Sequence, residues 1–277
     1  MRPPWGWARS HLRLICAGLI STATGPAVAA EPFDRLTNLR DELRNQGFAV
    51  AIREVLEGFD NFRGGIQSGR VGASTLEANL AIDTQERLGV PGGKFYVDVQ
   101  NHAGPDPSTA LVGDLQVFDK LNFRPYSQIF ELWYQQTLFD NKIRLKIGKV
   151  DANTELSHID NGLYFIHDSA QSSPTIFVFP TTPDPMPGIN LFYMPSDLFF
   201  ISFAVYDANQ SDNFLNFSGN PASIQFTRHG QFVIGETGLT WKNFPGLGGD
   251  GNLKAGAWGH TGIFERFTGG SQHGAEG

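Results

Sequence analysis

The stretch "FELWYQQTLFDNKIRLKIGKV", residues 130–150, alternates apolar and polar residues on either side of a short Phe139-Asp140-Asn141-Lys142 hinge. A period of two sends successive side chains to opposite faces, so each run reads as a strand with one oily and one wet face. The face that looks inward separates two folds. A soluble barrel or sandwich buries the oily face, whereas a membrane barrel wets its interior and turns the oily face to lipid.

The same period recurs and marks nine candidate strands, at 48–56, 74–84, 94–102, 128–138, 143–150, 188–194, 197–206, 231–242 and 253–261. Each is near the roughly ten residues that a tilted membrane strand needs. The links between them alternate in length: 57–73, 103–127, 151–187 and 207–230 are long, while 85–93, 139–142, 195–196 and 243–252 are short. Membrane barrels with elaborate external loops and plain periplasmic turns have this pattern. Asp140-Asn141 and Pro195-Ser196 supply tight turns. The run "SPTIFVFPTTPDPMPG" at 173–188 is unsuited to a central strand because proline has no ladder donor. It belongs to the longest loop, 151–187, and the sequence leaves open whether that loop folds inward to narrow the opening. The fold class is therefore all-β, an antiparallel transmembrane barrel of about nine strands, with one short helix before it.

That helix is expected over 31–47, where Leu36, Leu39 and Leu43 share one face, Asp34 caps the start and Gly47 ends it. The leucine stripe is expected to pack on the body of the fold. Residues 1–30 read as a cleaved secretory signal: Arg2, Arg9 and Arg13 give a basic start, Leu14 to Ile20 an apolar stretch, and Ala27 to Ala30 a small-residue cleavage site. The barrel domain then covers 48–277. Cys16 falls in the signal, so the mature chain has no cysteine and its stability does not come from disulfides. Loss of the three signal arginines takes the formal net charge from −7 to about −10, which argues against nucleic acid or anionic lipid headgroups as partners.

If the apolar faces meet lipid, parity fixes the wet ones. Glu77, Asn79, Asp83, Asp98, Gln100, His102, Glu131, Trp133, Gln135, Arg144, Lys146, Glu236, Lys254, Trp258 and His260 then line the lumen, and Phe130, Leu132, Tyr134, Leu138, Ile143, Leu145 and Ile147 face outward. A sugar offers a ring of hydroxyls and patches of C–H surface. Its site needs hydrogen-bonding groups beside an aromatic face, which Glu131, Trp133, Arg144 and Lys146 supply on adjacent strands. The substrate-binding candidates are Glu131, Trp133, Gln135, Arg144, Lys146, Asp98, Gln100, His102, Glu236 and Trp258. Against this stands a plainer reading, in which such residues only solvate the wall or pair with one another, Glu131 with Arg144 for instance. Asp151, Asn153 and Glu155 could hold calcium, but loop acids of this kind more often cap turns. Trp133, Tyr134, Tyr193 and Trp241 could also be rim anchors.

Five segments in order resemble the carbohydrate-selective porins of the OprB type: "NFRGGIQSG" leading into "LEANLAIDTQERLG", then "GGKFYVDVQNHAG", "FELWYQQTLFDNKIRLKIGKVDANTEL", "GINLFYMPSDLFFISFAVYDAN" and "LKAGAWGHTG". The resemblance implies an outer-membrane barrel of about sixteen strands and passive uptake of sugars. It also implies further strands beyond Gly277, so the chain reads as an incomplete barrel. The implied partners are sugars as solutes and outer-membrane lipid, with a homo-oligomer left open. No cofactor, metal or catalytic residue is expected. Paired carboxylates such as Glu77 and Asp98 are the nearest approach to hydrolase chemistry, and the mature chain has neither a G-x-S-x-G nor an H-E-x-x-H motif. The alternative is a secreted or surface β-sheet sugar-binding protein without a pore.

Overall fold

The computed structural model describes residues 30–114, 116–159, 162, 164–170, 176, 179–208, 230–242, 249–265 and 270–276. Helix α1 (Ala30–Asn45) leads into ten antiparallel strands, each paired with the next in sequence. They are β1 (Phe48–Asn61), β2 (Gly69–Asp83), β3 (Gly93–Ala103), β4 (Tyr126–Leu138), β5 (Ile143–Val150), β6 (Met186–Ser196), β7 (Phe199–Asp207), β8 (Gln231–Trp241), β9 (Gly251–Glu265) and β10 (Ser271–Glu276). Helix α2 (Thr84–Leu88) sits in the β2–β3 link, with Asp83 accepting from the amides of Gln85 and Glu86 at its start and Gly89 in a left-handed cap.

The expected nine strands are all present, and β10 is a tenth. Its sequence, "SQHGAE", carries no apolar alternation, and a bulge between His273 and Ala275 breaks even its pairing parity with β9. The expected long link 57–73 is also shorter, at 62–68, because β1 and β2 extend past their apolar portions. Glu57, Gly58, Phe59 and Asp60 pair with Ala73, Gly72, Val71 and Arg70, and Arg70 Nε meets Asp60 Oδ2 at 2.7 Å. The expected alternation of link lengths therefore fails at its first member and holds from 84–92 through 104–125, 139–142, 151–185, 197–198, 208–230 and 242–250.

Two helical expectations are corrected. Asp34 lies inside α1, which begins at Ala30, and Leu39 is 52% exposed, so that member of the leucine stripe is not buried on the sheet. Apart from those leucines the helix is mostly charged and polar, and it meets the barrel chiefly through β1.

Sidedness follows the membrane pattern. Ile147, Ile189, Ile201 and Phe203 are about half exposed, at 49%, 47%, 48% and 51%, while Lys146, Asn190 and Ser202 beside them in sequence or register are at most 5% exposed. A water-soluble sandwich would bury the first set and wet the second. Ile147→Arg is accordingly expected to destabilise the folded barrel by roughly 2 kcal/mol, and Gln135→Arg by less than about 0.5 kcal/mol. Urea titration of the heat-modifiable gel band checks both. Equal losses would contradict this sidedness.

One outward expectation fails. Phe130 is only 4% exposed, because β4 carries a bulge: Asp98 pairs with Glu131 but Val99 pairs with Ile129, leaving Phe130 as the extra residue. The outward set resumes with Leu132, Tyr134 and Leu138.

Candidate functional site in the lumen

The inner wall has two unlike halves. Across β2, β3 and β4 it is polar and self-bonded. Glu77 accepts from Arg53 Nε at 3.1 Å and from Asn79 Nδ2 at 3.2 Å. Asp98 Oδ2 accepts from Gln100 Nε2 at 2.8 Å, and Gln100 Oε1 accepts from the Tyr126 hydroxyl at 2.9 Å. His102 Nδ1 lies 2.8 Å from Thr75 Oγ1, with the imidazole stacked on Tyr126. Asp83, the last residue of β2, is exposed and serves as the cap of α2.

Across β6, β7 and β8 the inner wall is mostly apolar, built from Phe192, Phe200, Ala204, Tyr206, Phe232 and Ile234, with Asn190, Ser202 and Glu236 among them. Parity cannot reveal this in "FFISFAVYD", where both faces are mostly apolar. The reason is the link 151–185, from which Ala152, Leu156 and Phe179 lie against this wall and join the same core. Whether the longest loop folds inward is open in the sequence, and these contacts set Ala152, Leu156 and Phe179 against the inner face.

Polar bonds pin two described parts of the segment, Asp151 to His158 and Pro183 to Asp184. Asp151 N donates to Glu131 Oε1 at 3.0 Å, Ser157 N to Glu236 Oε2 at 2.9 Å, and Lys254 Nζ to the carbonyl of His158 at 3.1 Å. Further along, Gln128 Nε2 donates to the carbonyl of Pro183 at 2.6 Å, and Arg124 pairs with Asp184 at 2.6 Å. At the centre Glu155 Oε1 takes both Lys146 Nζ and, at 3.3 Å, Arg144 Nη1, while Asn190 Nδ2 reaches Glu155 Oε2 at 3.3 Å. Burial pushes the Glu155 carboxyl up, but Lys146 and Arg144 more than offset it and the net direction is down. Asp151 moves the other way: burial raises it, against hydrogen bonds from Thr181, Thr182 and Asn153. It caps the turn Ala152–Thr154, as a loop aspartate does, whereas Glu155 is a clamp for two cations.

The expected sites are thereby sorted. Glu131 and Arg144 do not pair, since the register sets Arg144 against Thr137 and Glu155 claims its guanidinium. Trp133 is a lumen residue and not a rim anchor: it stacks on Tyr96 at 4.8 Å, and Lys146 Nζ sits 4.0 Å from its ring centroid. Gln135 is half-buried opposite Lys146. Tyr134 and Tyr193 point outward, Tyr134 against Phe95 at 4.7 Å. Phe192, Phe200, Asn190 and the clamp at Glu155 were not anticipated, and only the contacts of a folded loop identify them.

Glu236, Lys254 and Trp258 border open space. With Ser157, His158, Ile159, Ile176 and Ile234 they line a cavity of about 300 Å³ between the inward segment and strands β8 and β9. Phe232 stacks on Trp258 at 5.8 Å, and His260 is buried beyond it.

A solved structure of Pseudomonas putida OprB at high pH matches with a TM-score of 0.74 and 17% identity, covering 87% of this chain and 62% of that one. The low-pH structure of Pseudomonas putida OprB gives a TM-score of 0.45 at 12% identity, over 84% of this chain and 65% of that one. This chain thus spans under two thirds of the length of those it matches. No curated protein matches it. Residues 72–276, most of the sheet with its polar interior and its inward segment, match the carbohydrate-selective porin, OprB family, and the chain belongs to that family.

Proposed function

We propose that the protein is an outer-membrane channel for the passive, selective diffusion of small neutral sugars, with residues 1–30 as its export signal. The observation that carries this is a barrel wall turned inside out, with buried polar side chains within and apolar ones exposed without, that holds parts of the 151–185 link against its inner face. Such a segment reduces the bore, and selectivity then comes from size and from weak contacts that admit a solute and let it go. Of the lumen candidates, Asp98, Gln100 and His102 serve as a self-bonded polar wall. Glu131, Arg144 and Lys146 hold the segment, with Trp133 and Gln135 beside them, and Glu236 and Trp258 meet the solute. The outer face meets lipid, and no catalytic step is required.

Planar-bilayer recording tests the reading. The intact protein is expected to give ohmic channels whose current falls as glucose or maltose is added. Absence of channels, or currents that no sugar reduces, would overturn it.

A further inference from the structure

One cation of the wall is placed against its own alternation. Lys149 follows Leu145 and Ile147 at a spacing of two, and its ladder partner Leu132 is exposed on the outer face, yet Lys149 is only 2% exposed. Its Nζ donates to the carbonyl of Ile129 at 2.8 Å and to Gln128 Oε1 at 3.0 Å. Both acceptors stand beside the Phe130 bulge, where β4 gains a residue relative to β3. An ammonium turned to lipid is costly, and this one finds a carbonyl and an amide oxygen within the wall instead.

The amide it meets is the one that carries part of the inward link. Gln128 is fully buried, and its Nε2 donates to the carbonyl of Pro183 at 2.6 Å. A primary amide has one accepting end and one donating end, whereas an ammonium only donates. Lys149 therefore selects which end of the Gln128 amide faces it, and the donating end is left for Pro183. With the amide reversed, an NH2 would face the ammonium and two oxygens would face each other at Pro183. Asp184 is held next to this contact by Arg124 at 2.6 Å, and its amide donates to the carbonyl of Thr181 at 2.7 Å.

We infer that Lys149 is a positioning residue: it orients the Gln128 amide and, through it, sets where Pro183 and Asp184 lie against the inner wall, and so the width left for a solute. Lys149 does this from within the wall, by deciding where an obstacle stands. The consequence for transport rests on the channel reading, whereas the anchorage of the link does not.

Hydrogen–deuterium exchange of the intact protein in detergent reads the anchorage, and liposome swelling with glucose and maltotriose reads the width. In Lys149→Met, exchange at the amides of Thr181 and Asp184 is expected to rise about tenfold, while the amide of Ser157, which bonds Glu236 instead, keeps its wild-type rate. The swelling rate with maltotriose relative to glucose is expected to rise in the same variant. Gln128→Glu still offers Lys149 an acceptor but gives Pro183 no donor, so it is expected to free the same two amides with the lysine in place. It carries the test alone if Lys149→Met lacks heat-modifiable mobility. In a Gln128→Met background, adding Lys149→Met is expected to change those amides little further, because the lysine acts through the glutamine. Wild-type exchange at Thr181 and Asp184 in Lys149→Met and Gln128→Glu, an equal rise at Ser157, or fully additive effects of the two methionine substitutions overturns the assignment. Local release with an unchanged swelling ratio overturns the effect on width. Local release in a protein that gives no channels keeps the anchoring role and defeats the channel reading instead.

Discussion

Glu155→Ala is expected to free the inward segment from its central anchor and raise the single-channel conductance. The substitution leaves Lys146, whose side chain is 6% exposed, and Arg144, at 25%, facing each other without their shared carboxylate. Removing one member of a buried ion cluster costs about 3–5 kcal/mol, chiefly because the remaining charges lose their compensation. The same clamp has a defined acid limit. The folded-state Glu155 carboxyl lies below its ordinary value of 4.5. Its contribution is therefore fully present above that value and is lost as pH falls through the lower, folded-state one. Conductance of the wild type is expected to be flat from pH 8 to pH 5, as far as this group is concerned, and to rise only in stronger acid, whereas Glu155→Gln is expected to conduct at pH 7 as the wild type does in acid. Identical currents from wild type and Glu155→Ala at pH 7 would show that the carboxylate does not hold the segment.

The second large effect is expected at Gly148. Its φ is +140°, where a side chain is strained, and a Cβ there would sit 2.1 Å from the Leu132 carbonyl oxygen and 2.6 Å from Trp133 Cα. Neither neighbour is a flexible chain end; both are ladder backbone. Strain and overpacking together are expected to cost Gly148→Ala about 4 kcal/mol. Gly235→Ala is the control, since its nearest neighbour is the Ser202 carbonyl oxygen at 3.7 Å, and it is expected to cost under about 1 kcal/mol. The urea midpoint of the heat-modifiable band, followed for both variants, decides the matter. Similar midpoints would mean that the β4–β5 ladder yields to a methyl group.

The difference between these glycines was not legible in the sequence, because it depends on what lies across the ladder. Alternation was legible wherever only one face is apolar. "KFYVDVQNH" and "IRLKI" gave both the strands and their sidedness, since a one-residue error would put charges in lipid. Sidedness was hidden in β7, whose inner face is apolar to receive the 151–185 segment, and was misjudged at Phe130, where one inserted residue turns the side chain around. Polar ladders such as Glu57 to Asn61 with Gly69 to Ala73 left no periodic trace, and neither did β10. For the site, residue chemistry named inward-facing side chains such as Glu131 and Glu236, but their partners come from a loop that bonds to wall residues as far as 96 positions away in sequence. Glu131 and Lys146 could be named as lumen residues, while their service to Asp151 and Glu155 waited on the fold.

The described residues Asp151 to His158 and Pro183 to Asp184 of the inward segment are held, through their backbone amides, carbonyls and acids, by side chains of strands β4, β5, β6, β8 and β9, with Arg124 beyond them. Their loss of conformational freedom is met once, when the chain folds, and not again at each passage of a solute. On the proposed reading, solutes are therefore sorted by a stationary aperture, and the passing molecule does no work on the protein to get through. Transport of this kind has no stroke to complete and no state to reset, so its rate follows the concentration difference for as long as the contacts inside stay weak.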